Sequence, residues 1–329
     1  MARRSRAAID LPKQASDIKQ LLDTFLERIE HDDLREQVLS LVPAFHALRD
    51  LGSGLINEEG VTSARDRILA YFCKYPRVVI DGDELLVVSG IGEWARRVRE
   101  LRVEFGWRIY TGATLVDVID ENPEILVELK AAIGIDAADL KPSQYILMKE
   151  TQDRDAALRW NQLNTIRKKP GGVKSKLLEY LRLNVGRVVT GEELRYLARD
   201  RKEWARRTRE LRTEDGWPIY TRMQGRSDLD VGEYLLEEDR QAPAHDRNIS
   251  DDVRVKVLVR DKFSCTFCGW KRDDLSRDDP RKFLELHHLT EHVSGGENTL
   301  GNLTTLCNVH HDQVHRGALR WTDEGWIED

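Results

Sequence analysis

Apolar residues recur at helical spacing between residues 14 and 51. One run consists of Leu21, Leu22, Phe25, Leu26 and Ile29, and a second consists of Leu34, Val38, Leu41, Val42, Phe45 and Leu48. Spacings of three and four residues place side chains on one helix face, so this pattern predicts two helices. Pro43 lies inside the second run and is expected to break or kink it. This helical N-terminal segment, residues 1–60, either packs on the next domain or pairs with a second copy, and both readings stay open.

A long internal repeat follows this segment. The stretch Glu93-Trp-Ala-Arg-Arg-Val-Arg-Glu-Leu-Arg102 recurs as Glu203-Trp-Ala-Arg-Arg-Thr-Arg-Glu-Leu-Arg212. Each copy continues at equal distance into Gly-Trp-x-Ile-Tyr-Thr, at residues 106–111 and 216–221. A single supersecondary pattern repeated at so long a period indicates a duplicated domain. The predicted copies are residues 61–170, which carry an insertion, and residues 171–240.

Each copy shows a helix, a short extended segment, two further helices and a glycine-containing hairpin. This order is similar to that of the winged helix-turn-helix domains, which bind DNA. In the third helix, an apolar stripe for the core is predicted at Trp94, Val98 and Leu101, and again at Trp204, Thr208 and Leu211. Outside the stripe lie the arginines proposed to contact DNA, namely Arg96, Arg97, Arg99, Arg102, Arg206, Arg207, Arg209 and Arg212.

The arginine-rich helices also have a plainer interpretation. Arginines on a helix can form a solvated charged face or a protein contact, and they can pair with glutamates at helical spacing. Trp107 and Trp217, on the two hairpins, raise the same kind of choice. They are candidates for stacking on a flipped or methyl-bearing base. The alternative, which large aromatic residues favour, is that they clamp each hairpin onto its core.

The last third of the chain is rich in cysteine and histidine. Cys265-x-x-Cys268 and Cys307-x-x-His310 supply a four-ligand set of the kind that closes tetrahedrally around a structural zinc ion. The alternative is that His310 is an ordinary helix residue and the second knuckle is incomplete. Three of the four cysteines are used in this way. Thiolate ligands require a reducing compartment, which favours the cytoplasm.

A second cluster remains, consisting of His287, His288, Asn302, His311 and His315. Strand side chains alternate, so His287 and His288 are expected on opposite faces of one strand. His311 and His315 are four residues apart and share one face of a helix. The alternative is that this region is a pure zinc module whose other histidines only contact DNA phosphate.

Together these residues resemble the HNH nuclease family, which has the ββα-metal fold, over residues 251–318. The resemblance implies that His288 is the general base for hydrolysis and that Asn302 orients its ring. It also implies that His287, His311 and His315 hold a catalytic divalent metal. Many relatives have an acid at the position of His287, so Mg²⁺, Mn²⁺, Co²⁺, Ni²⁺ and Zn²⁺ all stay candidates. The products expected from the resemblance have 3′-hydroxyl and 5′-phosphate ends.

Composition adds little to this picture. The net charge of −6 does not exclude nucleic acid, because affinity depends on where the cations cluster. There is no apolar run of about 18 residues, so no membrane partner is predicted. Because one nuclease module cuts one strand, a homodimer is the expected way to break a duplex.

The fold predicted from these patterns is α+β and multidomain. A helical N-terminal segment (1–60) precedes two winged-helix repeats (61–170 and 171–240) and a C-terminal ββα-metal nuclease domain with a structural zinc (241–329). The activity that the resemblance implies is metal-dependent endonuclease cleavage of double-stranded DNA, as a prokaryotic restriction enzyme that depends on sequence or on methylation. The alternatives are a homing or nicking enzyme of a mobile element, or a zinc-containing DNA-binding regulator that does not cut.

Overall fold

The computed structural model describes residues 10–30, 33–134, 136, 139–224, 226–242, 249–276, 278–290, 296–322 and 325–328. Packing divides the chain into two compact units. One unit comprises Met1–Leu115 with Ala131–Trp160, and the other comprises Val116–Lys130 with Asn161–Asp329. No helix in the described ranges is both long and apolar enough to cross a membrane. The mixture of helices and sheets that the sequence predicts is confirmed.

The first unit begins with a helical hairpin, α1 (Leu11–Arg28) and α2 (Leu34–Gly54). Each helix starts at an aspartate whose side chain accepts a backbone N–H, Asp10 from Lys13 and Asp33 from Glu36. The two predicted helices are thus confirmed. α2 runs through Pro43 and ends at Gly54, so the prediction that proline breaks this helix is wrong. The other expectation, a kink, stays a prediction.

The first repeat forms a small helix-and-sheet layer in the same unit. Its elements are α3 (Ala64–Lys74), β1 (Ile80–Asp81), α4 (Gly82–Ser89), α5 (Trp94–Arg99), β2 (Arg108–Thr111) and β3 (Gln144–Lys149). A π-helical turn, Glu100–Glu104, extends α5. The strands form an antiparallel sheet in the order β1-β3-β2. Val98 and Leu101 are buried in its core, where Trp94 and Trp107 pack from the side.

The second repeat has the same element order in the second unit. It consists of α9 (Val173–Leu183), β4 (Val188–Thr190), α10 (Gly191–Leu197), α11 (Glu203–Thr213), β5 (Ile219–Tyr220) and β6 (Glu233–Leu236). Its sheet order, β4-β6-β5, reproduces that of the first repeat. The predicted stripe of Trp204, Thr208 and Leu211 is buried. Gly106 and Gly216 adopt the same positive φ of 71° before their hairpins, which favours glycine at both places.

Between β2 and β3 the first repeat carries the predicted insertion. It forms α6 (Gly112–Glu121) and α7 (Leu126–Ile133), and α8 (Ala156–Lys168) follows β3. Residues Val116–Lys130 belong to the second unit. There, Asp117 accepts a hydrogen bond from Nε1 of the buried Trp204 at 2.9 Å and pairs with Arg195. Glu121 pairs with Arg209 at 2.8 Å. The insertion of one repeat therefore covers the third helix of the other.

The C-terminal domain contains a strand pair followed by a helix. Its elements are α12 (Asp251–Arg260), β7 (Leu284–His288), β8 (Leu303–Cys307), α13 (Asn308–His315), β9 (Leu319–Thr322) and β10 (Gly325–Glu328). β7 and β8 are antiparallel, with His287 opposite Thr304 and His288 opposite Leu303. Arg260 at the end of α12 donates to the carbonyl of Leu303 at 2.7 Å. α12 thereby fixes the start of β8.

Asp117 allows a test of the packing between α6 and α11. The variant Asp117→Ala leaves the buried Trp204 N–H without this acceptor and Arg195 without this carboxylate, because the Asp117 side chain is 4% exposed. We expect a loss of about 2–4 kcal/mol of unfolding free energy. The measurement is a urea titration followed by circular dichroism. The control is Asp120→Ala, an exposed position on the same helix. Equal midpoints for the two variants would contradict the packing described.

Candidate metal centres and active site

The predicted zinc ligands come together at one end of the β7–β8 pair. Cys265 and Cys268 lie on a tight turn, in which Gly269 N–H donates to the carbonyl of Cys265 at 2.8 Å. Cys307 ends β8 and caps the start of α13, so His310 follows in the first helical turn. The four ligand atoms all lie within 4.8 Å of one another. The fold places His310 beside the three cysteines and so does not support the alternative in which the second knuckle is incomplete.

The spacing of these atoms fits a tetrahedral zinc ion. His310 Nδ1 is 3.0 Å from Cys307 Sγ and 3.7 Å from Cys265 Sγ. Metal–sulfur bonds of about 2.3 Å and metal–nitrogen bonds of about 2.0 Å place such atoms about 3.5 Å apart. The hydrogen bond between the two thiols lowers the pKa of Cys265 and raises the pKa of Cys307, so Cys265 is the thiol of this pair that loses its proton more readily. Arg281 Nη1 lies 3.9 Å from Cys268 Sγ and brings a positive charge beside this proposed ligand.

The second cluster forms on the face of β7 that carries His287. The rings of His311 and His315 are each 5.5 Å from the ring of His287, between centroids. Nε2 of His311 and Nε2 of His315 are 3.3 Å apart. Two nitrogens bound to one ion at about 2.0–2.1 Å with a tetrahedral angle are separated by about 3.3 Å. The three imidazoles therefore fit a metal ion, as the sequence predicted.

Burial around this cluster is uneven. His287 and His311 are 7% and 5% exposed, whereas His315 lies on the open side. A site with three protein ligands and one open side has room for water and substrate, which is the arrangement of catalytic rather than structural zinc-type sites. Trp326 on β10 borders the closed side, with its ring centroid 6.0 Å from that of His287.

Glu285 is a further member of this cluster. Its carboxylate lies 3.2 Å from Nδ1 of His311 and leaves Nε2 of that ring directed at His315. A carboxylate behind a ligating histidine fixes the tautomer and makes the ring a better ligand. Arg240 holds the same carboxylate at 3.5 Å and also reaches Asp312 at 3.3 Å. Contacts with His311 and with Arg240 thus hold the Glu285 carboxylate in place.

His288 points away from the three-imidazole cluster, as strand alternation predicts. It is 2% exposed, and its Nε2 lies 2.6 Å from Oδ1 of Asn298. A carboxamide oxygen only accepts hydrogen bonds, so Nε2 is the donor. The neutral ring then has its lone pair on Nδ1. The residue that holds the His288 ring is therefore Asn298.

This finding corrects the expectation for Asn302. The Asn302 amide accepts from Thr290 N at 2.8 Å and donates to the carbonyls of Thr290 and Glu297 at 3.0 Å each. It ties together the two ends of the loop after β7 and does not bond to His288. Its effect on His288 is indirect, because the loop it fixes carries Asn298. Residues 291–295 of this loop lie outside the described residues.

Several of these positions were not found from the sequence. Glu285 stands two residues before His287, and period-two alternation places it on the same face of β7, so a signal existed. Asn298 had no such signal, because several polar residues of the loop after β7 suit the contact equally well. Trp326 and Arg240 reach the site from β10 and from the segment after β6. Their positions follow from tertiary packing alone.

The proposed DNA-contacting arginines occupy different environments in the two repeats. Arg96 and Arg97 pair with Glu100, as Arg206 and Arg207 pair with Glu210. Arg209 pairs with Glu121, and the buried Arg212 pairs with Asp251 at the start of α12. Arg99, by contrast, is exposed, and Arg102 is half-buried. In the second repeat, the arginines of the third helix therefore form ion pairs with carboxylates of the same unit.

The two candidate base-reading tryptophans also differ. Trp107 packs against the core of the first repeat. Trp217 is half-buried, with the Arg182 guanidinium 5.6 Å from its ring centroid. It lines a cavity of about 280 Å³ that Arg240, Arg254 and His315 also line. Tyr220, from the same hairpin, donates to the carbonyl of Leu284 at 3.0 Å and so attaches β5 to the start of β7.

Two family models match the chain. Residues 265–317 match the model described as HNH endonuclease, and residues 65–148 with 174–237 match the model described as KpnI N-terminal domain. No curated protein and no solved structure gives a significant match. The chain therefore contains an HNH endonuclease domain and is a DNA-cleaving hydrolase.

The variant Cys265→Ser tests the knuckle site. Loss of one buried thiolate should remove about one equivalent of metal and lower the melting temperature, because such sites contribute folding energy directly. The measurements are elemental analysis of the purified protein and a thermal melt. The control is Cys73→Ser, whose thiol belongs to the other compact unit and packs on the core of the first repeat. Unchanged metal content and melting temperature in Cys265→Ser would remove the structural role.

Glu285→Gln tests the carboxylate behind His311. The amide keeps the size of the side chain but loses its charge, so metal affinity should fall about 10–100-fold. The measurement is DNA cleavage as a function of divalent metal concentration. The midpoint should rise while the plateau rate recovers, and the knuckle metal should stay bound. Asp273→Asn, an exposed position of the same domain, serves as control. A titration that superimposes on that control would exclude this role for Glu285.

Proposed function

We propose that this HNH endonuclease is a restriction-type enzyme that hydrolyses both strands of double-stranded DNA with a divalent metal ion. The observation that carries the proposal is that two adjacent histidines of β7 lie in two different clusters of side chains. His288 faces Asn298, while His287 faces His311 and His315. One strand thus carries a candidate base and a candidate metal ligand on opposite faces. The match of both repeats to a KpnI N-terminal domain supports the restriction role.

His288 is the proposed general base. With Nε2 donating to Asn298, Nδ1 can take the proton of a water molecule as that water attacks phosphorus. The Asn298 oxygen continues to accept from Nε2 after the ring becomes cationic, so the same contact stabilises the imidazolium. Near-complete burial of His288 keeps the ring in one rotamer. Asn302 acts as a positioning residue through the loop that carries Asn298.

His287, His311 and His315 are the proposed ligands of the catalytic ion. When bound, the ion supplies positive charge to the phosphate and to the leaving oxygen. Glu285 makes His311 a stronger ligand. An all-imidazole set favours Mn²⁺, Co²⁺, Ni²⁺ or Zn²⁺ beside Mg²⁺. Cys265, Cys268, Cys307 and His310 are the proposed ligands of a separate structural zinc.

The two repeats are the proposed DNA-binding modules, with the winged-helix arrangement that their shared element order supports. In the first repeat, Ala95, Arg96 and Arg99 are exposed on the third helix. In the second repeat the counterparts of Ala95 and Arg99 are Ala205, which is buried, and Arg209, which pairs with Glu121. We therefore assign base reading to α5 of the first repeat. Arg206 and Arg207 are assigned to phosphate contacts.

The test of this function is cleavage of one supercoiled plasmid with Mg²⁺ or Mn²⁺, comparing the wild type with His288→Ala. Removal of the base should lower the rate at least about 100-fold, while DNA binding measured in EDTA stays unchanged. His46→Ala, an exposed histidine on α2, is the control. A His288→Ala variant that cuts at the wild-type rate would overturn the assignment. Wild-type protein that binds a specific site and cuts in neither metal would make the chain a regulator.

The same cleavage assay shows whether the enzyme requires a modified base in its DNA substrate. The plasmid is prepared in one host that methylates DNA and in one that does not. Discrete fragments from both preparations indicate ordinary sequence recognition and leave Trp107 and Trp217 as clamps of their hairpins. Cutting of the methylated preparation alone shows that a modified base is required and makes the tryptophans the candidates for reading it, with Trp217 first because it lines the cavity. Nicked circles that never become linear would instead favour a nicking enzyme.

A further inference from the structure

Exposed apolar side chains concentrate on the N-terminal hairpin. Of the 24 large apolar side chains recorded as exposed in the described part of the chain, 11 lie between Leu22 and Leu55. Leu34, Leu26 and Phe45 are exposed by 76%, 62% and 62%. Scattered apolar residues are normal on a protein surface, but a contiguous patch of this size marks an interaction site.

α2 has two apolar or small-residue faces, and only one of them is covered. The less exposed positions are spaced as one helical stripe, namely Gln37, Ser40, Ala44, Ala47 and Leu51. α1 packs along α2 and presents a matching stripe that includes Ile18, Leu21 and Phe25. The more apolar face of α2 lies roughly 100° around the helix axis, at 100° per residue, and is exposed. α1 therefore covers the less apolar of the two faces of α2 and leaves the more apolar face exposed.

The exposed face of α2 has the spacing of a coiled-coil seam. The side chains of this seam are Leu34, Val38, Leu41, Phe45 and Leu48, at alternating intervals of four and three residues. Leu55 continues the seven-residue period beyond the helix end. Apolar residues at the a and d positions of a heptad pack against a second helix of the same kind. The seam is thus complementary to itself.

We propose that this α2 seam is the interface between two copies of the chain, which pair by their α1–α2 hairpins as a four-helix bundle. At about 200 Å² for a fully exposed large apolar side chain, the five seam side chains expose roughly 600 Å² of apolar surface per copy. A stable protein interface buries about 800 Å² per partner, and about 65% of that area is apolar in homodimers. A two-fold axis brings the same patch of each copy together, which a self-complementary seam satisfies.

A second copy fits this face better than a lipid surface does. Charged residues of both signs lie on the exposed side of α2 beside and behind the seam, namely Arg35, Glu36, Arg49 and Asp50. Membrane-surface helices instead carry a predominance of Lys and Arg on their polar face. Pairing also supplies the second nuclease domain that the proposed cutting of both strands requires, although the interface itself is argued from α2 alone.

The test compares Leu41→Glu and Phe45→Glu with the wild type by sedimentation equilibrium. The wild type should have twice the mass of the 38.0 kDa chain, and both variants should have the mass of one chain. Because both side chains are exposed, circular dichroism should show unchanged helix content. His46→Glu, exposed and outside the seam, is the matched control and should stay dimeric.

Several outcomes would overturn the interface. A wild type that is monomeric at micromolar concentration would do so, and co-sedimentation of that monomer with anionic vesicles would assign the seam to lipid. Dimeric Leu41→Glu and Phe45→Glu variants would place the interface elsewhere. Plasmid assays separate this proposal from the proposed function. If the wild type is a dimer that cuts nothing, the function fails and the interface stands. Seam variants that nick normally but linearise plasmid slowly support both.

Discussion

The pairing of β7 with β8 is the constraint on which the candidate active site depends. The register places His288 opposite Leu303 and His287 opposite Thr304, so that each imidazole faces a different set of partners. Because strand side chains alternate with a period of two, a slip of one residue would exchange the two faces. The candidate base would then face His311 and His315. The proposed chemistry therefore requires this register between β7 and β8.

The knuckle site fixes this register from the other end. Cys307 closes β8 and caps α13, while His310 and His311 are adjacent residues on that helix. A metal held by the first of these histidines would fix the rotation of α13. That rotation directs the second histidine toward His287, since neighbouring helical residues point about 100° apart. The proposed structural ion and the proposed catalytic residues are thus linked through one short helix.

The sequence predicted the site residues that follow a local periodicity and missed those that only the tertiary fold brings together. The knuckle ligands and the His311–His315 pair each follow from helix or strand periodicity, and the structure brings them together. Asn298 replaced Asn302 as the partner of His288, because both residues lie on a loop without a period and only the fold distinguishes them. The break expected at Pro43 failed because the packing of α1 along α2 outweighs one lost backbone hydrogen bond. Likewise, no local pattern could indicate that Asp117 meets Trp204.

The packing of the first repeat's insertion on the second repeat has a consequence for how this architecture arose and how it can change. A duplication first produces two copies that fold independently and can be lost or shuffled as units. The Val116–Lys130 segment of the first copy supplies carboxylates to Trp204, Arg195 and Arg209 of the second, so the second copy is not complete without the first. Recombination at the boundary between the repeats would remove the hydrogen-bond acceptor of a buried tryptophan and one carboxylate partner of each of two arginines. We therefore expect the tandem to be inherited as a single module.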